Sequence, residues 1–549
     1  MQRNSLPAVQ KSLLVLMLVA VAFSASNTFA IPAFSRMYGT SCSTCHIDFP
    51  KLNDFGKAFK DAGFKFPKDD ESMLKIPPVM LGAPANAELW PKAIWPGTIP
   101  GQPPIGLRYN NYFQYTGSSR DKYSQLLPPG TPASPYIPAT DFQTGFFSIF
   151  TAGNFGSDIA FWVDDDISVA GANANGGLGQ AYLKFVNIGR FLKMPQNALN
   201  FKAGQIELEI PFTQALSIWV SPYDIYTQAN VGVVNPAFNQ QFITNAYTFA
   251  GSGKGIEFSG GRHTGGYNYS LAFIDQNTSG AAQGSNPSSY VPTATGGNSG
   301  GVGIASDANF KDIYASFNYR FNLEKDKDSR NSIQAAGQSG PRDHTYLNFG
   351  TYYFYGRSVQ RLSGTSTVGT PVVLTARQPF YRVGGNFTFN YRKVQVNGLY
   401  MYGHDYNLLP MDATGTLVPL PVSDTTPVAF VHGSPSTFSG GFVDAEWLAY
   451  PWMYVMVRYD GVNSQSDYHN ALVPGGFTGS PFNGASSATR SRITPAVQFL
   501  IHPNIKAVAE YQIRPSQSIE FGTNPITGLP MAVNSFRTNT LVLGFEFAY

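Results

Sequence analysis

Beyond residue 100 this chain has no cysteine and no apolar run long enough for a transmembrane helix. Neither a disulfide framework nor helical membrane insertion therefore explains the bulk of it. Charge is also sparse, with Asp, Glu, Lys and Arg making up 13% of the residues, and the net charge of +3 comes without a basic cluster. Nucleic acid is thereby excluded as a natural partner. No nucleophile elbow, Walker loop or dinucleotide fingerprint occurs in a fitting structural setting, which removes the enzyme classes built on them. What the chain has in quantity is glycine (55), phenylalanine (42) and tyrosine (30). That is a composition of turn formers and strand formers.

Period-two alternation gives those aromatics a place. Tyr381, Val383, Phe387, Phe389 and Tyr391 alternate with Arg382, Asn386, Thr388, Asn390 and Arg392, and Val394, Val396, Tyr400 and Tyr402 continue the pattern after a very short connection. Each strand so read has one apolar and one polar face. A β-sandwich alternates too, but these segments run to the roughly 9–11 residues that a tilted strand needs to cross a bilayer. At the C-terminus Leu541, Leu543, Phe545, Phe547 and Tyr549 share one face. An amphipathic last strand ending on an aromatic resembles the assembly signal of bacterial outer-membrane barrels, although a buried terminal strand of a soluble domain would show the same alternation.

Sixteen strands can be counted, the first near 106–116 and the last near 536–549. The fold class is accordingly all-β, a transmembrane outer-membrane barrel over residues 101–549 embedded in outer-membrane lipid, with an even strand number returning the C-terminus to the starting side. The long connections, among them 117–142, 209–253, 276–308, 405–437 and 463–489, fall on the extracellular side. They carry little charge, whereas 323–343, on the periplasmic side, carries Glu324, Lys325, Asp326, Lys327, Asp328, Arg330, Arg342 and Asp343. Loops with so few charges suit an acidic exterior; Gly/Ser/Asn-rich loops of any barrel give the same composition.

The N-terminus reads as an exported leader. Arg3 and Lys11 precede an apolar core from Leu13 to Ala22, and Thr28-Phe29-Ala30 supplies small residues for cleavage, so residues 1–30 form a signal peptide. Both cysteines of the chain follow, in Cys42-Ser43-Thr44-Cys45-His46. This is the C-x-x-C-H attachment signature of a c-type haem: two thiols form thioethers to the porphyrin vinyls and the adjacent imidazole becomes the proximal iron ligand. A disulfide, a thioredoxin-like pair and a zinc half-site are the other uses of such a pair. No β-α-β pattern surrounds it, and there is no second cysteine pair to complete a zinc tetrahedron.

Residues 31–100 are too few for a free-standing domain with a large core, so one covalent haem c is expected to supply it. Pro50 opens an expected helix whose Leu52, Phe55 and Phe59 recur at helical spacing and pack on the porphyrin, and Gly63 stops it. Asp54, Lys57, Lys60 and Asp61 take the other face, either solvated or paired with inward-pointing strand residues. His46 is the only histidine before the barrel. The candidate distal ligands in reach are Met73 and Met80, ahead of Met37, and a barrel histidine or a vacant sixth position stays open.

Pro32, Phe34, Arg36, Gly39, Thr40, Cys42, Cys45, His46, Pro50, Leu52, Phe55, Gly56, Phe59, Lys60 and Gly63 together resemble the N-terminal cytochrome segment of fused cytochrome-porins, the outer-membrane iron-oxidising cytochromes. The resemblance covers residues 31 to about 66. It implies a single-haem segment before a sixteen-stranded barrel, extracellular Fe(II) as electron donor, and a periplasmic c-type cytochrome or copper protein as acceptor. A wide barrel holds an aqueous lumen behind an apolar band about 25 Å tall, so a haem segment plugging that lumen would bring one iron near both mouths.

Two further readings fit the same residues: an electron conduit for another donor or in the reducing direction, and a transport porin plugged by its haem segment. An Fe(II) site is not announced by any cage-like spacing. Asp405, Asp412, Asp424, Asp467 and His469 have suitable donors on outer connections.

Overall fold

In the computed structural model the described residues are 33–66, 70, 74–82, 88–89, 98–101, 103–116, 139–156, 158–167, 177–213, 217–227, 233–235, 240–243, 252–274, 311–323, 344–365, 371–405, 408–411, 429–432, 436–464, 489–516, 521–523, 530–532 and 539–549. The leader at 1–30, Met73, Asp412, Asp424, Asp467, His469 and the charged part of the 323–343 connection lie outside them.

Sixteen antiparallel strands close into one barrel. They are β1 (Ile105–Thr116), β2 (Ala139–Phe155), β3 (Ile159–Ile167), β4 (Gly177–Phe185), β5 (Asn200–Glu207), β6 (Ser252–Gly261), β7 (Gly266–Ile274), β8 (Asp312–Asn322), β9 (Tyr346–Thr365), β10 (Pro371–Tyr391), β11 (Val394–Asp405), β12 (Ser436–Tyr450), β13 (Met453–Ser464), β14 (Thr489–His502), β15 (Ile505–Ser516) and β16 (Thr540–Ala548). Each pairs with its sequence neighbours, and β16 closes on β1 from Thr540↔Thr116 to Ala548↔Arg108. Closure satisfies every edge, which a sheet surrounded by hydrocarbon requires.

The alternation read from sequence becomes an apolar outside and a polar inside. On β13, Val457 and Tyr459 are 53% and 52% exposed on the outer wall, while Arg458 and Asp460, which alternate with them, are fully buried. On β16, Leu543 and Phe545 face out and Val542 and Glu546 face in. This is the distribution of a barrel surrounded by lipid. The inward charges are buried because the lumen is filled.

Two segments fill it. Residues 33–66 contribute α1 (Ala33–Tyr38), a 3-10 turn at Cys42–Thr44, a small ribbon of His46–Asp48 against Lys51–Leu52, and α2 (Asp54–Asp61). The helix starts later than the sequence pattern indicated. Pro50 lies in the ribbon's bend, and Asn53 is the cap, its side chain accepting from Gly56 N at 2.8 Å. Gly63, at φ +75°, ends the turn that follows and lies against Val186 and Ala160, where a Cβ would collide.

The second segment overturns an expectation. Residues 209–253 are expected as an outer loop, but the described parts at 208–213 and 217–227 turn inward and bury Ile210, Ile218, Trp219, Tyr223 and Ile225. The lumen wall explains why. Glu510 accepts from Val220 N at 2.6 Å and from Ser221 N at 3.0 Å, Arg458 donates to the Ser221 carbonyl at 3.0 Å, and Arg492 pairs with Asp224 at 3.0 Å. Strand charges need partners, and the segment's apolar residues need cover.

Candidate cofactor site

The Cys42–Cys45 turn is held from behind by one side chain. Asn53 Nδ2 donates to the carbonyls of Ser43 and Thr44 at 3.1 and 3.0 Å, and its own N–H donates to the Cys45 carbonyl at 3.0 Å. Gly56 completes the cradle: a Cβ there would stand 2.1 Å from the Cys45 carbonyl oxygen, so no larger residue fits. Within the turn Cys45 N–H donates to Cys42 O at 3.2 Å. The two thiols are half-buried and not bonded to each other.

His46 follows directly. Its Nδ1 lies 3.2 Å from the Pro50 carbonyl oxygen. A carbonyl only accepts, so Nδ1 carries the proton and Nε2 keeps its lone pair. Burial pushes the ring's pKa down to about 4, with Arg108 and Lys506 adding to the effect against the opposing Pro50 hydrogen bond. Two free thiols and a neutral imidazole whose Nε2 keeps its lone pair fit covalent attachment and proximal ligation of a c-type haem, and the Pro50 carbonyl is the kind of outer partner that orients such a ligand.

The other named residues divide. Phe55 and Phe59 are buried in an aromatic cluster with Phe34, Tyr38, Phe64 and Phe66, against which Cys45 and Met37 also pack. Phe55 lies 5.2 Å from the Phe66 ring, and Phe59 lies 5.0 Å from that of Phe34. These residues are thus gathered beside the cysteines. Leu52 faces elsewhere, lining a lumenal cavity of about 310 Å³ together with Lys57, Lys60, Trp219, His263 and Glu446. Met80 is 51% exposed in a short strand paired with Thr98–Ile99. Asp405 ends β11.

The charged face of α2 is paired with the barrel. Asp54 meets Arg320 through both oxygens, Asp61 meets His263 at 2.7 Å, and Lys60 lies 3.7 Å from Glu209. Burial alone would raise the Asp54 and Asp61 carboxyls, but Arg320 and His263 outweigh it and hold both below the usual range. Elsewhere Lys506 donates to the Phe49 carbonyl at 2.8 Å, and Glu446 is shared, accepting from Lys51 on one oxygen and from Trp219 Nε1 on the other. Sequence reasoning did not single out Glu446, Trp219, Arg320 or His263. Charged residues on the inward parity of strands were the available signal, but their partners lie far away in the chain.

No protein-family model and no curated protein matches the chain. Solved structures similar to it include an anion-selective porin from Comamonas acidovorans (9% identity, TM-score 0.45, covering 81% of this chain and 98% of that one). Others are OmpF of Salmonella typhi in complex with daunomycin (8%, 0.41, 81% and 97%) and OmpT of Vibrio cholerae in its trimer form (9%, 0.39, 81% and 98%). The barrel assignment rests on this chain's own strand pairing.

Proposed function

We propose that this chain is an outer-membrane c-type cytochrome of the fused cytochrome-porin kind. It carries one haem on Cys42 and Cys45 with His46 as proximal ligand, takes electrons from extracellular Fe(II), and passes them to a periplasmic c-type cytochrome or copper protein. The observation that carries this reading is the hydrogen bond between His46 Nδ1 and the Pro50 carbonyl, directly behind two free thiols. When bound, the haem supplies one-electron exchange at its iron, so each Fe(II) that becomes Fe(III) yields one electron to be released inward.

The chain's residues give that chemistry its setting. Asn53 and Gly56 fix the attachment turn, Pro50 fixes the imidazole, and the cluster of Phe55, Phe59 and Phe66 keeps water from the cysteine side. Arg320, His263, Glu446 and Lys506 hold the segment within the lumen. The apolar exterior and the closed strand ladder support the outer membrane as the compartment.

Stopped-flow mixing of the purified, oxidised protein with Fe(II), followed in the visible haem bands at acidic and neutral pH, tests the proposal. Fast reduction is expected. A haem that dithionite reduces but Fe(II) leaves oxidised would remove Fe(II) as donor and leave a conduit for another donor.

A further inference from the structure

The connection from β4 to β5, residues 186–199, lies on the same rim as the tight turns at 392–393 and 503–504. It is longer than either and folds into a 3-10 turn at Ile188–Leu192. Its tip reads Arg190-Phe191-Leu192-Lys193-Met194, an apolar pair between two cations. Phe191 and Leu192 are 76% and 70% exposed, among the most exposed large apolar side chains described.

This turn is tied to the outer wall. Asn200 and Lys202 on β5 are buried inward, so Leu199 and Phe201 take the outward parity. Gly189 and Met194 pack together on Leu199: a Cβ on Gly189 would stand 3.3 Å from the Leu199 Cβ and 3.1 Å from that of Met194. On β7, Asn268 and Ser270 point inward and Tyr269 between them points out; its hydroxyl donates to the Ala198 carbonyl at 2.8 Å. The connection is therefore anchored to two residues of the lipid-facing side. Arg190 lies over the Phe191 ring at 5.0 Å and pairs with Asp158 at 2.7 Å, so Lys193, exposed beside Leu192, is the cation of the tip that faces outward without that carboxylate.

We infer that residues 190–194 are a membrane-interface anchor, in which Phe191 and Leu192 enter the boundary of the acyl chains while Lys193 meets phosphate oxygens of anionic phospholipid headgroups. Aromatic and aliphatic side chains flanked by cations that extend toward the headgroups are the pattern of an interfacial element. A soluble redox partner would be served by a patch on the lumen side of the rim, and this one continues the outer wall. The inference rests on the membrane reading of the barrel.

The test replaces Leu192, and in a separate protein Val443, by photoreactive benzoylphenylalanine in the full-length chain. The chains are irradiated in intact membranes and the adducts identified by mass spectrometry. Val443 is 49% exposed midway along β12, so a phospholipid adduct there reports the barrel in its bilayer. Phospholipid adducts at both positions are expected. Lipid at 443 with none at 192, or a captured soluble protein at 192, overturns the anchor and leaves the membrane reading standing; no lipid at either overturns both. Native mass spectrometry of Lys193→Ser should show preference for phosphatidylglycerol over phosphatidylcholine falling about fivefold, the equivalent of about 1 kcal/mol for one cation at a lipid surface. An unchanged preference overturns the headgroup contact.

Discussion

Arg320 grips Asp54 with two parallel contacts, Nη1 to Oδ1 and Nη2 to Oδ2, each 2.7 Å long. The arginine sits on the inner face of β8 and the carboxylate in the first turn of α2, so the barrel wall holds the N-terminal segment at the helix that follows its cysteine turn.

Breaking that grip on one side leaves a charge without its partner in a nearly water-free place, since Arg320 is 2% and Asp54 12% exposed. Arg320→Met should destabilise the protein by about 3–5 kcal/mol, the usual cost of orphaning one member of a buried ion pair. Combining it with Asp54→Asn should recover part of the loss. Denaturant midpoints of the two variants measure both, and a double variant no better than the single would mean that the two groups are not energetically coupled.

The second anchor, Asp61 with His263, carries a pH signature. Burial would lower the His263 pKa, but Asp61 raises it above 6.5, so its contribution is complete below pH 6.5 and fades as pH rises through the raised value. The depressed Asp61 carboxyl contributes above pH 3.8 and loses that contribution as pH falls through its lowered value. The advantage of the native protein over His263→Ala should therefore be largest between about pH 4 and 6.5. Thermal midpoints of both proteins across pH 3 to 9 check this; a difference that grows above pH 8 would contradict it.

Much of this architecture was legible because a barrel strand writes its two environments into alternate positions. Val383 and Tyr391 against Arg382 and Asn390 could be read without coordinates, as could β16 and the closing strand count. The attachment turn was legible for a different reason, since thioether chemistry fixes the spacing of Cys42, Cys45 and His46. What could not be read was pairing across long sequence separations. Nothing local says that Glu446 serves Lys51 and Trp219 together, or that residues 208–213 and 217–227 turn inward. The hairpin rule assigns that connection to a loop, and the bonds it makes to Arg458, Arg492 and Glu510 on the inner faces of β13, β14 and β15 explain where it goes.

Covalent attachment has a direct test. Cys42→Ser and Cys45→Ser should each sharply reduce the haem that stays with the chain on a denaturing gel, and the double variant should abolish it. The barrel should persist in both, because neither thiol touches a strand pairing. Peroxidase staining reads the first effect, and the mobility difference between heated and unheated barrel reads the second. Full staining in the double variant would rule out thioether attachment.

The inward segment gives the last expectation. Glu510 on β15 accepts from Val220 N–H, Ser221 N–H and the Ser221 hydroxyl, so Glu510→Ala strips three donors of their acceptor within a filled lumen. Each buried donor left without a partner costs about 1–3 kcal/mol, which favours release of the segment over keeping it packed. Single-channel recording in planar bilayers should show higher conductance for Glu510→Ala than for the native protein, and a protease added from the outer side should cut between residues 208 and 227. Glu510→Gln keeps an accepting oxygen and should fall between the two. Equal conductance in all three proteins would mean that this carboxylate does not hold the segment in the lumen.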